Sequence, residues 1–476
     1  MEKILSRLQD QMAGLDCEYS DLRFVELKRQ KIRTHQGKVS AVKDLRSQGV
    51  GVRVLKAGTF GFSSTGDSSE KSIFSCLNQA REMALRFSKI RHAEVKLARA
   101  KTVRARWKTP VRKDPWKISL SEKAEPLIVA EKMVSHSGID STSGTLDFTR
   151  KKITFISSSG SWIEQTLDRS GGWLSGEFDK VKRSWPGPTG RFRSQGYEAI
   201  SDLAFEKEAK RLADELKELK KSPEAPAGKL DLILKGSILA LQLHETFGHA
   251  SESDRVYGYE DNFGGRTFLN PGLLDGLEVA SPCVNLVCDA APKAGAGTGS
   301  FAFDDEGVSA KRTQILKDGI FKGYLTSRET AFFLNQPKSS ANMVAEDWSH
   351  YPLIRMTNLN LVPGKGSLSE IIRNTEDGIL LDNELSWSID EMRLDFQIGA
   401  EMGYRIKKGK IAGLVRFPIY HGNTLDFWKS CDWVAGRADW GYWGFSDCGK
   451  GGPYQEAFTG HGVSPARFRN IRFGRI

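Results

Sequence analysis

One break in patterning does most to limit the folds open to this chain. Residues 222–229 (SPEAPAGK) interrupt the sequence with Pro, Ala and Gly just after a strongly charged helical stretch over 204–221. Proline removes a backbone donor and glycine admits unusual dihedrals, so such a cluster ends regular structure and marks a domain boundary. Ahead of it, strand-like alternation and helical periodicity take turns. Beyond it, about 250 residues carry short apolar runs and Gly-rich turns, with one convincing apolar helix near residue 240. The expected fold class is therefore α+β: an N-terminal α/β domain over 1–225, with a mixed or antiparallel sheet and helices, followed by a mainly β C-terminal domain over 229–476. A chain of 476 residues is roughly three usual domain lengths. The first half divides further into 1–90 and 118–225, joined by a basic stretch.

Local signals fill in the first domain. Ile4, Leu5, Leu8 and Met12 repeat at helical spacing, and the runs LRFVEL, KVSAV, GVGVRVL and TFGFSS alternate as strands do. Gln36-Gly37 reads as a hairpin turn. Ile73, Leu77, Ala80, Ala84 and Phe87 restore a helical period over 69–89. Ser119 and Glu122 have the spacing of a capping box for a helix reaching about Ser135, and strand runs follow around LDFTRKKITFIS and WIEQTLD.

No apolar run approaches the roughly 18 residues of a spanning helix, which argues against membrane embedding. The opening MEKILSRLQDQMAGL mixes Glu2, Lys3, Arg7 and Asp10 with its apolar residues, as an amphipathic helix does and a signal peptide does not. The expected location is cytoplasmic. Lys and Arg outnumber Asp and Glu by 70 to 59, a net charge of +11. Ten of these cations fall between Arg91 and Lys117, against Glu94 and Asp114, with Trp107 and Trp116 interleaved. Cations and indoles together can grip a nucleic acid. A solvated basic connection accounts for the same residues, so nucleic-acid binding is the weaker reading. Six dispersed cysteines imply reduced thiols; Cys283 and Cys288 read as small buried hydrophobes.

The chemistry concentrates after residue 230. DLILKG reads as a strand, Ser237 stands where it can cap the next helix, and that helix carries His244, Glu245 and His249: an H-E-x-x-x-H pattern. Histidines four apart on an α-helix diverge by about 40° and can share an ion, whereas five apart gives about 140°. Joint ligation therefore requires a π-bulge or a helix end between the two, and Phe247-Gly248 is where that distortion is easiest. Two structural histidines would give the same pattern. The chain's sparing use of histidine, eight in all, favours a metal. A catalytic zinc needs a third protein ligand. Glu252, His421, His461 and Cys448 of the Gly-rich, loop-like SDCGKGGP are the candidates, and Lys450 beside the thiol favours its ionised form. Glu245 would act as general base on metal-bound water. The glycines of GAGTGS (295–300) read as a turn, and Asp304, Asp305 and Glu306 as an acidic turn rather than a cation site.

DLILKGSILALQLHETFGHASESD, GSFAFDDEG, KDGIFKGYLTSRETA, RMTNLNLVPG and CGKGGP, in that order, resemble successive landmarks of the TldD/PmbA family of metallopeptidases, and SQGVGVRVLKAGTFGFSST resembles that family's opening domain. The chain is similar to the members that carry the H-E-x-x-x-H helix. The resemblance implies zinc held by His244, His249 and Cys448, Glu245 as the catalytic glutamate, and cleavage of unfolded or extended peptides. It also implies a cavity closed by dimerisation, as a homodimer or with a motif-lacking relative. The family's association with DNA gyrase control keeps a second class in view: a regulatory factor binding nucleic acid or protein through 91–117, with a structural metal.

Overall fold

The computed structural model describes residues 2–90, 93–291 and 297–474. Arg91 of the basic stretch, and Gly295 and Ala296 of the Gly-rich run, lie outside the described residues. The first half is built on an antiparallel ribbon, β1 (Tyr19–His35) against β2 (Lys38–Lys56). Gln36 and Gly37 join the two strands with φ of 50° and 68°. Positive φ at both positions makes the turn whose twist matches the flanking strands. KVSAV and GVGVRVL, expected as two strands, run as one. The outer half of β2 is exposed on both faces, so its residues carry no alternation to read.

β3 (Thr59–Thr65), β2, β1, β5 (Ser141–Ser157), β6 (Trp162–Phe178) and β4 (Arg104–Lys108) follow in spatial order, with β7 (Val181–Trp185) and β8 (Arg191–Arg193) also pairing β6. Strands from both sides of the basic stretch thus share one sheet, and β4 lies at its edge. The helices pack on one face of this sheet, and the C-terminal half covers the other, where Val25, Ile153 and Leu167 meet Ala290 and Phe301. Leu5, Leu8 and Met12 of α1 (Glu2–Ala13) and Ile73 and Leu77 of α2 (Glu70–Phe87) pack on Leu22, Val50 and Val52. Leu127 and Val134 of α3 (Leu120–His136) meet Leu212 and Leu216 of a later helix (Phe205–Lys221) over Leu146 and Leu174. The Ser119–Glu122 capping box is formed. Along the basic stretch, Arg99, Lys101, Arg104 and Arg106 are exposed, whereas the two indoles face inward: Trp107 packs on the core and Trp116 lies under the Lys28 ammonium at 4.1 Å.

The second half forms a nine-stranded mixed sheet. Its central strand, β9 (Gly228–Leu234), runs parallel to Asp377–Leu381 and antiparallel to Ala466–Phe473, and Glu384–Ile389 closes one edge. The Gly441–Lys450 and Gln455–Val463 strands form a separate hairpin. Asp305 and Glu306 are buried and reach back to Arg23 (3.4 Å) and Arg53 (3.2 Å) of the first sheet, tying the two halves together. Among the described residues, no helix is long and apolar enough to cross a membrane.

Candidate metal centre

β9 turns into an eight-residue helix (Gly236–Leu243) at a glycine that the turn requires. Gly236 has φ 66°, and a Cβ there would lie 2.7 Å from the Asp382 carbonyl oxygen. Ser237 does not cap this helix; its hydroxyl donates to the Glu384 carboxylate instead. All eight residues are buried, which is why the helix shows no polar face. The next five residues, His244–Gly248, form one π turn, with the His249 N–H bonded to the His244 carbonyl, and a 3₁₀ turn (His249–Ser251) follows. An i→i+5 turn returns the chain to the same side of the axis after five residues, the geometry the histidine spacing demands. Neighbours hold the distortion in place. The Thr246 hydroxyl donates to the Gln242 carbonyl (2.5 Å) and accepts from the Trp428 indole (2.9 Å). A Cβ on Gly248 would come within 2.5 Å of Met356 Sδ.

Cys448 approaches from the far strand of the hairpin. Its Sγ lies 3.2 Å from His244 Nε2 and 3.6 Å from His249 Nε2, and all three ligand atoms fall within 4.8 Å of one another. Zn–N and Zn–S bonds of about 2.0 and 2.3 Å in a tetrahedron place N and S about 3.6 Å apart, so the spacing suits zinc. The thiol sits in a strand rather than in a loop, because Cys448 pairs with Ala457 before the chain turns at 451.

Hydrogen bonds behind the imidazoles set which nitrogen is free. The Leu359 carbonyl takes the Nδ1 proton of His461 (3.2 Å), leaving His461 Nε2 to accept from His244 Nδ1 (2.9 Å). His244 Nε2 is then an unprotonated lone pair facing Cys448. Glu252 does the same for His249, with Oε2 2.9 Å from Nδ1. Such outer partners orient metal-binding histidines and raise their basicity. Glu252 and His461, candidates for the third ligand, therefore stand behind the histidines. His421 is elsewhere, on a strand paired to Gln397 and Arg472. Glu252 is also held by Arg255 Nε (3.1 Å), Lys450 Nζ (3.1 Å) and the Met356 N–H (3.2 Å). Lys450 thus pairs with Glu252 and Asp254; the cation acting on the Cys448 thiol is Arg355, which donates to the Cys448 carbonyl.

Electrostatics leave these groups in metal-binding states. Burial pushes His244 down to about 4 and lowers His249 as well, so both imidazoles are neutral near pH 7. Burial opposes ionisation of Cys448, but Arg355 and His249 outweigh it and the thiol is more acidic than usual. Burial likewise disfavours the Glu252 carboxylate, yet Lys450, His249 and Arg255 hold it well below the ordinary range.

Glu245 lines an open cleft of about 410 Å³ beside His244, His249 and Cys448 and pairs with Arg393 Nη1 at 2.9 Å. Arg393 also donates to the Gly264 carbonyl (2.7 Å). Arg255, Arg355 and Arg393 carried no signal in the sequence, since isolated arginines belong to no spacing pattern. Cys283, expected to be buried, is exposed in a turn, with its sulfur 3.9 Å from Cys431 Sγ.

Residues 227–475 match the model of the PmbA/TldA metallopeptidase C-terminal domain, and residues 20–84 that of PmbA/TldA metallopeptidase domain 1. A metalloprotease of Methanothermobacter thermautotrophicus is 28% identical over 96% of this chain and 95% of its own length. One from Methanocaldococcus jannaschii is 30% identical over 88% and 89%. A zinc metalloprotease TldD homolog of Saccharolobus solfataricus is 28% identical over 44% of each chain. In fold, the chain superposes on TldE of Thermococcus kodakarensis with a TM-score of 0.70 at 16% identity, covering all of both chains.

Proposed function

Because the chain belongs to the PmbA/TldA metallopeptidase family, we propose that it is a zinc-dependent peptidase acting on unfolded or extended peptides. The observation that carries this reading is the convergence of His244 Nε2, His249 Nε2 and Cys448 Sγ within 4.8 Å, beside a carboxylate in an open cleft. These three residues would hold the ion. Zinc, when bound, supplies a Lewis acid that activates water and polarises a carbonyl. Glu245 takes the proton from the attacking water and passes it to the leaving amine. Arg393 keeps the Glu245 carboxylate at the rim of the cleft until substrate enters. His461 and Glu252 keep the two Nε2 atoms turned inward.

A sheet edge supports the extended-peptide reading. Glu384–Ile389 has a free side, and Trp387, Ser388 and Ile389 line the cleft. An extended peptide can add to such an edge through main-chain hydrogen bonds. Assembly as a homodimer, or with a motif-lacking relative, would enclose the cleft. The rival nucleic-acid reading loses the stacking half of its argument, because Trp107 and Trp116 are engaged internally.

The test is hydrolysis of an unstructured peptide by zinc-loaded protein, by chelated protein and by Glu245→Gln. The glutamine variant should keep its zinc and lose about 10²- to 10⁴-fold in turnover. Wild-type rates in that variant, or in chelated protein, would end this reading. Salt-dependent binding to duplex DNA without peptide cleavage would establish the rival.

A further inference from the structure

A second cavity lies apart from the metal cleft, between one face of the first sheet and the C-terminal half. It encloses about 80 Å³. A water needs roughly 10–15 Å³ of such space, so this volume admits a small polyatomic ion. Lys151 and Arg169 enter it from β5 and β6, and Arg355 enters from the segment that backs Cys448.

None of the three cations has a carboxylate in direct contact, although the Asp305 charge acts on Lys151 and Arg169 and Arg355 faces the Cys448 thiol. Lys151 is 5% exposed, Arg169 7% and Arg355 1%. Lys151 donates to the Ala345 carbonyl (2.6 Å), Arg169 to the Thr298 carbonyl (2.7 Å), and Arg355 to the Cys448 carbonyl. Among the described residues none of them forms an ion pair. Two further donors of Arg355, Nε and Nη1, have no partner, and neither has the hydroxyl of Thr149, which lines the same cavity.

The carboxylates in the lining are engaged with other groups. Asp305 accepts from Arg23 (3.4 Å) and the Ala345 N–H (2.7 Å). Asp304 accepts three backbone N–H groups, and burial raises its carboxyl well above the ordinary range. Glu346 accepts the Glu456 N–H (2.7 Å). Glu456 itself takes the Tyr454 hydroxyl (3.4 Å) and lies toward Arg29, which is already paired to Asp147. Buried cations without a carboxylate in direct contact, and guanidinium donors without acceptors, are each costly. A bound anion removes both costs at once. We propose that this cavity is a binding site for a small oxyanion, a phosphate or a carboxylate, held by Lys151, Arg169 and Arg355. The inference does not depend on the peptidase reading.

Two sources present this chemistry: free inorganic phosphate and the C-terminal carboxylate of a peptide. Calorimetric titration of the full chain with phosphate, an acetylated dipeptide free acid and the matching amide separates them, with sodium chloride at equal ionic strength as the control. Saturable binding of phosphate, or of the free acid and not the amide, supports the site and names its source. Arg169→Gln and Lys151→Met should each weaken that binding at least about tenfold. If either variant fails to fold, Thr149→Val removes only a hydroxyl and should weaken it several-fold. A proton readout needs no variant. Burial lowers the Lys151 ammonium to about 8. An adjacent anion restores its charge, so binding at pH 8.5 should take up protons, seen as a dependence on buffer ionisation enthalpy. Binding no stronger than chloride's, or binding unchanged in folded Arg169→Gln and Lys151→Met, overturns the proposal.

Discussion

Glu252→Gln tests how the centre is held, because one carboxylate serves both His249 and the surrounding cations. The side chain is fully buried, and Oε2 receives Lys450, Arg255 and His249 Nδ1 at 2.9 to 3.1 Å while Oε1 receives the Met356 N–H. An amide cannot satisfy both ends. With its oxygen toward the cations, its NH₂ opposes the Met356 N–H; reversed, its NH₂ faces three donors. The substitution also removes one of three carboxylates, Glu252, Asp254 and Glu260, that face Lys450 and Arg255. Breaking a buried pair by removing one partner costs about 3–5 kcal/mol, and loss of an outer partner of a metal-binding histidine weakens the metal about 10- to 100-fold. Urea unfolding of the metal-free protein reads the first effect, and zinc competition against a calibrated chelator reads the second. The second separates orientation from mere packing. Zinc affinity within twofold of wild type in a folded but destabilised Glu252→Gln would refute the argument that Glu252 presents His249 to the ion.

Cys448→Ala should lose both zinc and hydrolysis while Cys283→Ala keeps both; full zinc occupancy by elemental analysis in folded Cys448→Ala would exclude the thiol as a ligand. Replacing Arg99, Lys101, Arg104 and Arg106 by Ser should leave hydrolysis of a neutral peptide within a few-fold, since all four are exposed; a collapse in rate with the fold intact would speak for a functional basic surface. Metal-free protein should lose stability as pH falls from about 6.5 to about 4. In that window the unfolded chain takes up a proton on His244 that the native state refuses, so stability rises with pH, by about 3 kcal/mol in all from this group. Urea midpoints flat across that range would mean that His244 is not held neutral by burial.

What the sequence determined by itself is local. The helix near the N-terminus, those over 70–87, 120–136 and 205–221, the Gln36-Gly37 turn and the Ser119–Glu122 cap all rest on spacings of one to four residues, which backbone geometry converts directly into structure. The H-E-x-x-x-H spacing belongs here as well. A five-residue spacing between two histidines excludes a shared ion on a regular α-helix, so the need for a distortion was legible while its form was not. Tertiary structure decided the rest. Cys448 is 204 residues from His244 and 199 from His249. The register of the last hairpin sets Cys448 opposite Ala457 and His461 opposite Trp443, and so decides which side chain faces the two histidine Nε2 atoms and which stands behind His244. Nothing local distinguishes Cys448 from His461 or Glu252 as the third ligand. All three are buried groups able to bind a metal, and their roles differ only through neighbours brought in from distant strands: the Leu359 carbonyl, Lys450 and Arg355. The buried cations were equally hidden, because a lysine or arginine in a strand reads as solvent-facing until another layer covers that face of the sheet.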